Sequence, residues 1–427
     1  MRSRFTGLWR HPDFVRLWAG ETVSVFGSLI GGMAILFTAV LWLDASPLQM
    51  AVLAGCQMAP GFLIGLLAGV WADRLHRRPI LIACDIGRFV VLCTIPLAAL
   101  FGVLSLPQLY VVTLAASTLT VFFDVAYQAY LPTLVRRDEL VEGNSKLTAT
   151  ASIAEFSSFS LSGWLVQLLR GPGAVFIDAL SFLVSAYFVW RIRTPEPPPA
   201  PLGERQHILR EARDGMHVVI REPLLRSLAM SNILLNASQR MLGVVFLLYL
   251  NRELGFGPGL LGMIFAVGGI TSLGGAYLAG RPHWFGGLGR SLVASVILMG
   301  VGMLFMPLAA SVSVLGVALL VANQLVTDPA ATFFEINCVS LRQGITPDRL
   351  QGRMNATMKF TEFGGMLAGT ALGGVLGEVI GLRQTLFVAV AGTFIAGVIL
   401  ALSPVFRLRQ MPTADLVIIP AAEPVVA

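Results

Sequence analysis

Apolar runs of about twenty residues, the length a bilayer-spanning helix requires, recur along almost the whole chain with short polar breaks between them. Twelve such runs are legible, near 14–43, 48–70, 79–104, 107–131, 146–169, 173–191, 224–251, 258–280, 290–309, 312–341, 354–379 and 383–406. The pattern predicts an all-α membrane protein of 12 transmembrane helices.

The runs fall into two sets of six, and landmarks of the first set return in the second at an offset of 210 or 211 residues. Arg16-Leu17-Trp18-Ala19 is answered by Arg226-Ser227-Leu228-Ala229, Leu67-Ala68-Gly69 by Leu278-Ala279-Gly280, and Phe122-Phe123-Asp124-Val125 by Phe333-Phe334-Glu335-Ile336. Asp138, Leu140 and Asn144 are answered by Asp348, Leu350 and Asn355. Both copies keep the same order, which predicts two pseudo-symmetric six-helix bundles related by an axis along the membrane normal.

Between them the composition breaks. Thr194-Pro195-Glu196-Pro197-Pro198-Pro199-Ala200-Pro201 cannot continue a helix. Ile208, Ala212, Gly215 and Val219 then recur at helical spacing among Arg210, Glu211, Arg213 and Asp214, the pattern of an amphipathic helix on a membrane surface. The expected domains are an amino-terminal bundle (1–192), a cytoplasmic linker (193–222), a carboxyl-terminal bundle (223–408) and a cytoplasmic tail (409–427).

Composition agrees with a lipid solvent, since 56% of the 427 residues are hydrophobic and 13% charged, more apolar surface than one soluble core hides. Charge supplies the orientation. Arg2, Arg4, Arg10 and Arg16 stand at the entry to the first span, Arg74, Arg77 and Arg78 in the second loop, Arg136 and Arg137 in the fourth, and seven Arg from Arg191 to Arg226 around the sixth. Alternate loops hold Arg170, Arg252 and Arg383, so the positive-inside rule predicts that both termini are cytoplasmic. The net charge of +6 is explained by this bias and needs no nucleic-acid partner. The first apolar run reads as a span rather than a cleavable signal.

Other chemistries find little support. Cys56, Cys84, Cys93 and Cys338 lie in apolar runs without metal-ligand spacing, so neither a disulfide nor a metal site is expected. The five His are scattered without an accompanying nucleophile, and no phosphate-binding Gly-x-x-x-x-Gly-Lys occurs. Catalysis, a cofactor and ATP drive are not expected.

The most specific local string is Gly69-Val70-Trp71-Ala72-Asp73-Arg74-Leu75-His76-Arg77-Arg78. It resembles the second loop of the major facilitator superfamily, with His76 where that family usually has Gly, and the resemblance implies the major facilitator fold. The equivalent loop of the second half, Gly280 to Arg290, lacks the acid. Pro12-Asp13-Phe14-Val15-Arg16-Leu17-Trp18, Leu131-Pro132-Thr133-Leu134-Val135 and Gln351-Gly352-Arg353-Met354-Asn355-Ala356 resemble the branch that holds macrolide-efflux and enterobactin-exporter proteins. That resemblance implies a proton-driven exporter of a drug, macrolide-like compound or siderophore in a bacterial inner membrane, working as a monomer. Drug antiporters of the superfamily commonly carry an Arg in span four and a Gly-Pro pair in span five. Here span four has no Arg, and span five reads Ser158-Phe159-Ser160-Leu161-Ser162-Gly163.

Ionisable residues inside spans face protein, water or one another, because a charge at the bilayer centre costs about 2.5–3.5 kcal/mol on insertion scales. Glu21, Asp124, Glu155, Asp178, Asp328, Glu335 and Glu362, with Arg88, Arg240 and Lys359, fall in this class. Ser117, Thr120, Asp124 and Gln128 share one face of span four, and Gln324, Asp328, Ala331 and Glu335 one face of span ten. Asn232, Asn236, Gln239 and Arg240 form a polar strip on span seven.

The proton-coupling candidates are Glu335, Asp124, Asp328 and Arg240, the last two expected to pair. Cavity candidates are Glu21, Glu155, Asn232, Asn236, Gln239, Gln324, Glu362, Phe123 and Phe334. Lys359 and Glu362, three residues apart, either pair with each other or face the cavity. Gly69, Asp73, Arg74, Arg77 and Arg78 are read as a conformational latch, against the alternative that the bases only set topology. The runs of Gly in spans eight and eleven permit close helix approach. The sequence therefore predicts a proton-coupled secondary transporter, with uptake by symport or a non-transporting scaffold as the alternatives.

Overall fold

Hydrocarbon offers no partner to a peptide N–H or C=O, so a chain this apolar closes its backbone hydrogen bonds within helices. The computed structural model describes residues 7–72, 76–136, 139–196, 216–281 and 286–411. Its helices are α1 (Pro12–Leu41), α2 (Pro47–Ala72), α3 (Arg77–Leu100), α4 (Leu106–Leu134), a broken helix Leu140–Trp190, α7 (Pro223–Leu248), α8 (Pro258–Ala279), α9 (Leu288–Leu308), α10 (Val314–Ile345), α11 (Asp348–Val379) and α12 (Leu382–Leu402). The broken helix turns at Arg170, whose φ of 61° and ψ of 171° are not helical, and its arms are α5 (140–169) and α6 (171–190). The helices make the twelve-helix, all-α fold. Ten helices among the described residues are long and apolar enough to cross a membrane.

The break between α5 and α6 has a local cause. Pro172 donates no hydrogen bond, and Gly171 permits an approach so close that a Cβ there would collide with Thr38 of α1. Arg170 is left with its guanidinium over the Trp42 ring, 5.7 Å from the centroid.

The chain divides into two compact units, Met1–Gly203 with Phe256–Ala266, and Glu204–Gly255 with Val267–Ala427. In the first, α1 packs along the α5–α6 pair, α2 on α4, and α3 on α4 and the α5–α6 pair. In the second, α7 packs on α11 and α12, and α9 on α10 and α12. The pairings of α7 and α9 repeat those of α1 and α3, as the internal repeat requires. Each unit has its own apolar core, one around Leu8, Phe14, Leu17, Leu81, Phe123 and Tyr130, the other around Leu225, Leu228, Leu292, Phe334, Leu341 and Met354. Leu63, Val111, Leu168, Leu273 and Val379 remain exposed along the helices, as lipid-facing side chains should.

Ile208, Ala212 and Gly215 of the expected surface helix lie outside the described residues. Val219, on the apolar face of that expected helix, is buried in the carboxyl-terminal core with Leu225 and Leu228. Residues 412–427 of the expected tail also lie outside the described residues, yet the bundle extends past 408. The amides of Leu288 and Gly289 at the start of α9 donate to the carbonyls of Arg409 and Leu408, at 3.2 and 2.9 Å.

Glycine sets the closest helix contact of the second unit. Gly365, Gly369 and Gly373 of α11 lie four apart and face the carbonyls of Ile233, Ala237 and Met241 on α7, so that a Cβ at any of them would strike backbone. Gly369→Val is therefore expected to destabilise the protein by about 1–3 kcal/mol through overpacking, seen as a lowered unfolding temperature in detergent. An unchanged transition would show that α7 and α11 are not in firm contact.

Candidate functional site

The first unit encloses a cluster of charged and polar side chains from α1, α3, α4 and α6. Arg88 of α3 is 2% exposed and donates to Asp85 Oδ1 at 2.5 Å and to Thr120 Oγ1 at 3.5 Å. Its guanidinium lies between two aromatic rings, 4.3 Å from the Phe123 centroid and 4.1 Å from that of Phe182. Ring faces are negative, so both stabilise the cation. Asp85 and Arg88 are one helical turn apart, which brings both onto the same face of α3.

Asp178 of α6 completes the cluster. Its carboxylate packs against Gly27 and Gly31 of α1, and a Cβ at Gly31 would overlap it. Ser181 lies beside Asp178 and Ser185 beside Asp85, but both hydroxyls stop short of hydrogen-bonding geometry. Glu21 Oε2, Asp85 Oδ2, Arg88 Nε, Tyr127 Oη, Asp178 Oδ1 and the two serine hydroxyls are all buried without a hydrogen bond among the described residues.

Glu21 also borders a cavity of about 230 Å³ between α1, α4 and α5, lined by Thr22, Tyr127, Asn144, Thr148 and Thr150. Trp18 Nε1 donates to Thr150 Oγ1 at 3.0 Å and fixes one wall. Asp124 is exposed and within electrostatic reach of Glu21 and Arg88. Glu155 is exposed on α5 and does not line this cavity. Phe123, expected on a cavity wall, is 2% exposed: its ring is spent on Arg88 and stacks on Tyr127 at 5.9 Å.

The second unit distributes its polar groups differently. Asp328 and Gln324 of α10 both point at Gly268 of α8, where a Cβ would collide with the carboxylate, and Thr271 Oγ1 donates to the Gln324 carbonyl at 3.0 Å. Arg240 is exposed, and the expected Arg240–Asp328 ion pair does not form among the described residues. Asp328 turns instead into the room left by Gly268. Glu362 pairs with buried Arg342 of α10 at 2.8 Å, and Lys359 is exposed. The shorter route to a cation is therefore across to α10 rather than along α11. Glu335 is exposed.

Asn232 is buried and donates to Cys338 Sγ at 3.6 Å, and Asn236 donates to the Asn232 carbonyl at 2.9 Å. Gln239 is half-buried. Asn232 thus joins α7 to α10 instead of lining a cavity, and Phe334, 5% exposed, sits in the core. Both corrections have one cause, since that face of each helix is the one turned toward its neighbour.

Of the expected latch, Asp73 and Arg74 lie outside the described residues, and Gly69 is placed only as part of α2. Arg77 and Arg78 bind the segment that follows α6. Glu196 accepts from the amides of Arg77 and Arg78 at 2.6 and 3.2 Å, filling the bare amino-terminal end of α3. Arg78 caps the other helix, donating to the carbonyls of Val189 and Trp190 at 3.3 and 2.6 Å. Asp13, at the start of α1, accepts from the Arg193 and Thr194 amides, Thr194 Oγ1 and Arg16. This clasp ties α1, α3 and α6 together. Close by, Lys146 and the Leu8 amide hold the Glu142 carboxyl below the usual carboxylate range.

A fold of twelve helices in two repeated sets, with ionisable groups inside its spans, defines a membrane transporter rather than an enzyme. Residues 3–426 match the model of the family described as transmembrane secretion effector, and the chain belongs to that family of the major facilitator superfamily. Macrolide efflux protein A of Streptococcus pyogenes is 27% identical over 212 residues, covering 48% of this chain and 51% of that protein. The multidrug efflux pump Tap of Mycolicibacterium fortuitum is 24% identical, covering 96% of this chain and 99% of that one. Among solved structures, a bacterial homologue of the iron transporter ferroportin in an inward-facing state superposes with a TM-score of 0.73 at 17% identity, over 92% of this chain and 98% of that chain. That likeness carries the fold alone.

Arg88 and Asp178 are legible in the sequence as residues inside spans but with no assigned part, and Asp85, Ser181 and Ser185 are not among the expected site residues. The i, i+3 spacing of Asp85 and Arg88 in an apolar run was the available signal. Glu196 gave none, because its partners lie 118 and 119 residues away. Removing it should expose what the clasp contributes. Glu196→Ala leaves two amides at the start of α3 unpaired and is expected to destabilise by about 1–3 kcal/mol, with Glu196→Gln milder. Thermal unfolding in detergent measures both, and parental stability for the Ala variant would contradict the assignment.

Proposed function

We propose that the chain is a proton-coupled exporter of a small organic molecule, working by alternating access between its two repeated halves in a bacterial inner membrane, with both termini cytoplasmic and as a monomer. The observation that carries this reading is the repeated pair Asp124 and Glu335. Each follows Phe-Phe, each is exposed, and each stands in an otherwise apolar helix, where an acid facing lipid would be unfavourable and one facing a wet crevice would not.

A proton on either acid removes its charge before a dry state is crossed, and substrate arriving from the inside displaces it. Asp328, Glu21 and Gln324 offer further polar contacts, and exposed Arg240 offers a cation for an anionic solute. Relatives named for macrolide and multidrug efflux support export of a drug or macrolide-like compound over a siderophore.

Erythromycin and ethidium content in cells lacking their own exporters tests the reading. Expression should lower both, a protonophore should abolish the difference, and Asp124→Asn or Glu335→Gln should slow export at least about tenfold, equivalent to about 1.4 kcal/mol in the rate-limiting barrier. Higher internal content on expression would indicate an importer. Parental export by both neutral variants would remove the acids from the mechanism.

A further inference from the structure

The transport reading leaves one deeply buried acid of the first unit without a role. We propose that Asp178 is a proton-binding group of the amino-terminal half. Its carboxylate takes a proton from hydronium, forming an O–H bond at Oδ1 and releasing water, and returns the proton to water when Arg88 becomes its counter-ion. The assignment rests on the proton-coupled reading above and adds the residue at which one proton is held.

The packing around Asp178 is what singles it out. The residue is 3% exposed, one carboxyl oxygen faces Gly31 and the other has no hydrogen bond. α1 has no donor to offer there, since its amides are used within its own helix. The hydroxyl beside the carboxylate is that of Ser181 on the same helix, and across from both stand two glycines, so α1 contributes no side-chain donor to the carboxylate.

The other groups facing the site are few and can be named. Arg88 and Ser181 act on Asp178 directly, and around Arg88 lie Glu21 from α1, Asp85 and Cys84 from α3 and Asp124 from α4, with Tyr127 beside Glu21 and Ser185 beside Asp85. Arg88 is already engaged by Asp85 and by two rings, so it serves several acids at once. A proton is the smallest charge that can settle that excess without opening the helices. A second observation points the same way. Ser181, buried beside Asp178, leaves its hydroxyl oxygen without a partner, where a protonated carboxyl can donate.

The test needs no knowledge of the substrate. Dicyclohexylcarbodiimide adds to protonated carboxyl groups in apolar surroundings, and peptide mass spectrometry of the purified full-length protein reports which residue reacts. Labelling of Asp178 is expected to fall at least about tenfold from the lowest to the highest pH at which the protein stays folded, to be absent in Asp178→Asn and to persist in Glu21→Gln. The difference in unfolding temperature between the parent and Asp178→Asn should change over the same range, a readout that does not depend on reagent access.

A difference in unfolding temperature that stays constant with pH overturns the proposal. So does labelling that sodium chloride suppresses at fixed pH while choline chloride does not, which would make the site a sodium site. Failure of the transport reading looks different: export untouched by a protonophore sinks coupling whatever Asp178 does. Protonophore-sensitive export with a flat pH response at Asp178 sinks this assignment alone.

Discussion

An arginine inside an apolar bundle persists only where its charge is compensated, and Arg88 is met by Asp85, Thr120 and the faces of Phe123 and Phe182. The arrangement of the first unit follows from that requirement. α3 supplies the acid one turn away, α4 a ring and a hydroxyl, and α6 a second ring with Asp178 and two serines. Burying an ion pair contributes little net stability by itself. Removing one partner is the damaging event, and the cluster therefore dictates which helices must stay together.

Glycine makes the geometry possible. Gly27 and Gly31 give Asp178 its seat on α1, and Gly268 gives Asp328 the corresponding freedom on α8. In both units a carboxylate on one helix fills the space of a missing Cβ on another. The internal repeat preserves this use of small residues but not the charges. Ser231, Leu298 and Val388 stand 210 residues after Glu21, Arg88 and Asp178, and the second unit holds its buried arginine elsewhere, at Arg342 against Glu362. The halves share a scaffold and differ in chemistry.

Most of the scaffold was legible in the order of residues, because apolar run length is a direct consequence of bilayer thickness. The first apolar run, 14–43, forms α1 at Pro12–Leu41; the fifth and sixth runs lie on either side of 170–172, where Arg170 and Pro172 break the helix. The polar stripes gave height along a helix but not direction around it. Arg240 and Asp328 were matched by depth, yet each successive residue turns about 100°, and equal depth leaves the two side chains free to diverge. The same ambiguity assigned Phe123 and Phe334 to a cavity when they face helix neighbours. Asp178 was recognised as intramembrane and no more, since its glycine seat comes from residues about 150 positions away.

The central claim, that Arg88 holds the buried charges of the first unit together, is tested most directly by a double-mutant cycle on thermal or denaturant unfolding in detergent. Arg88→Met alone leaves Asp85 without its cation, whereas Arg88→Met with Asp85→Asn removes both charges. The account predicts that the double variant is more stable than Arg88→Met, with a coupling of about 1–3 kcal/mol. Strictly additive effects of the two substitutions would contradict it.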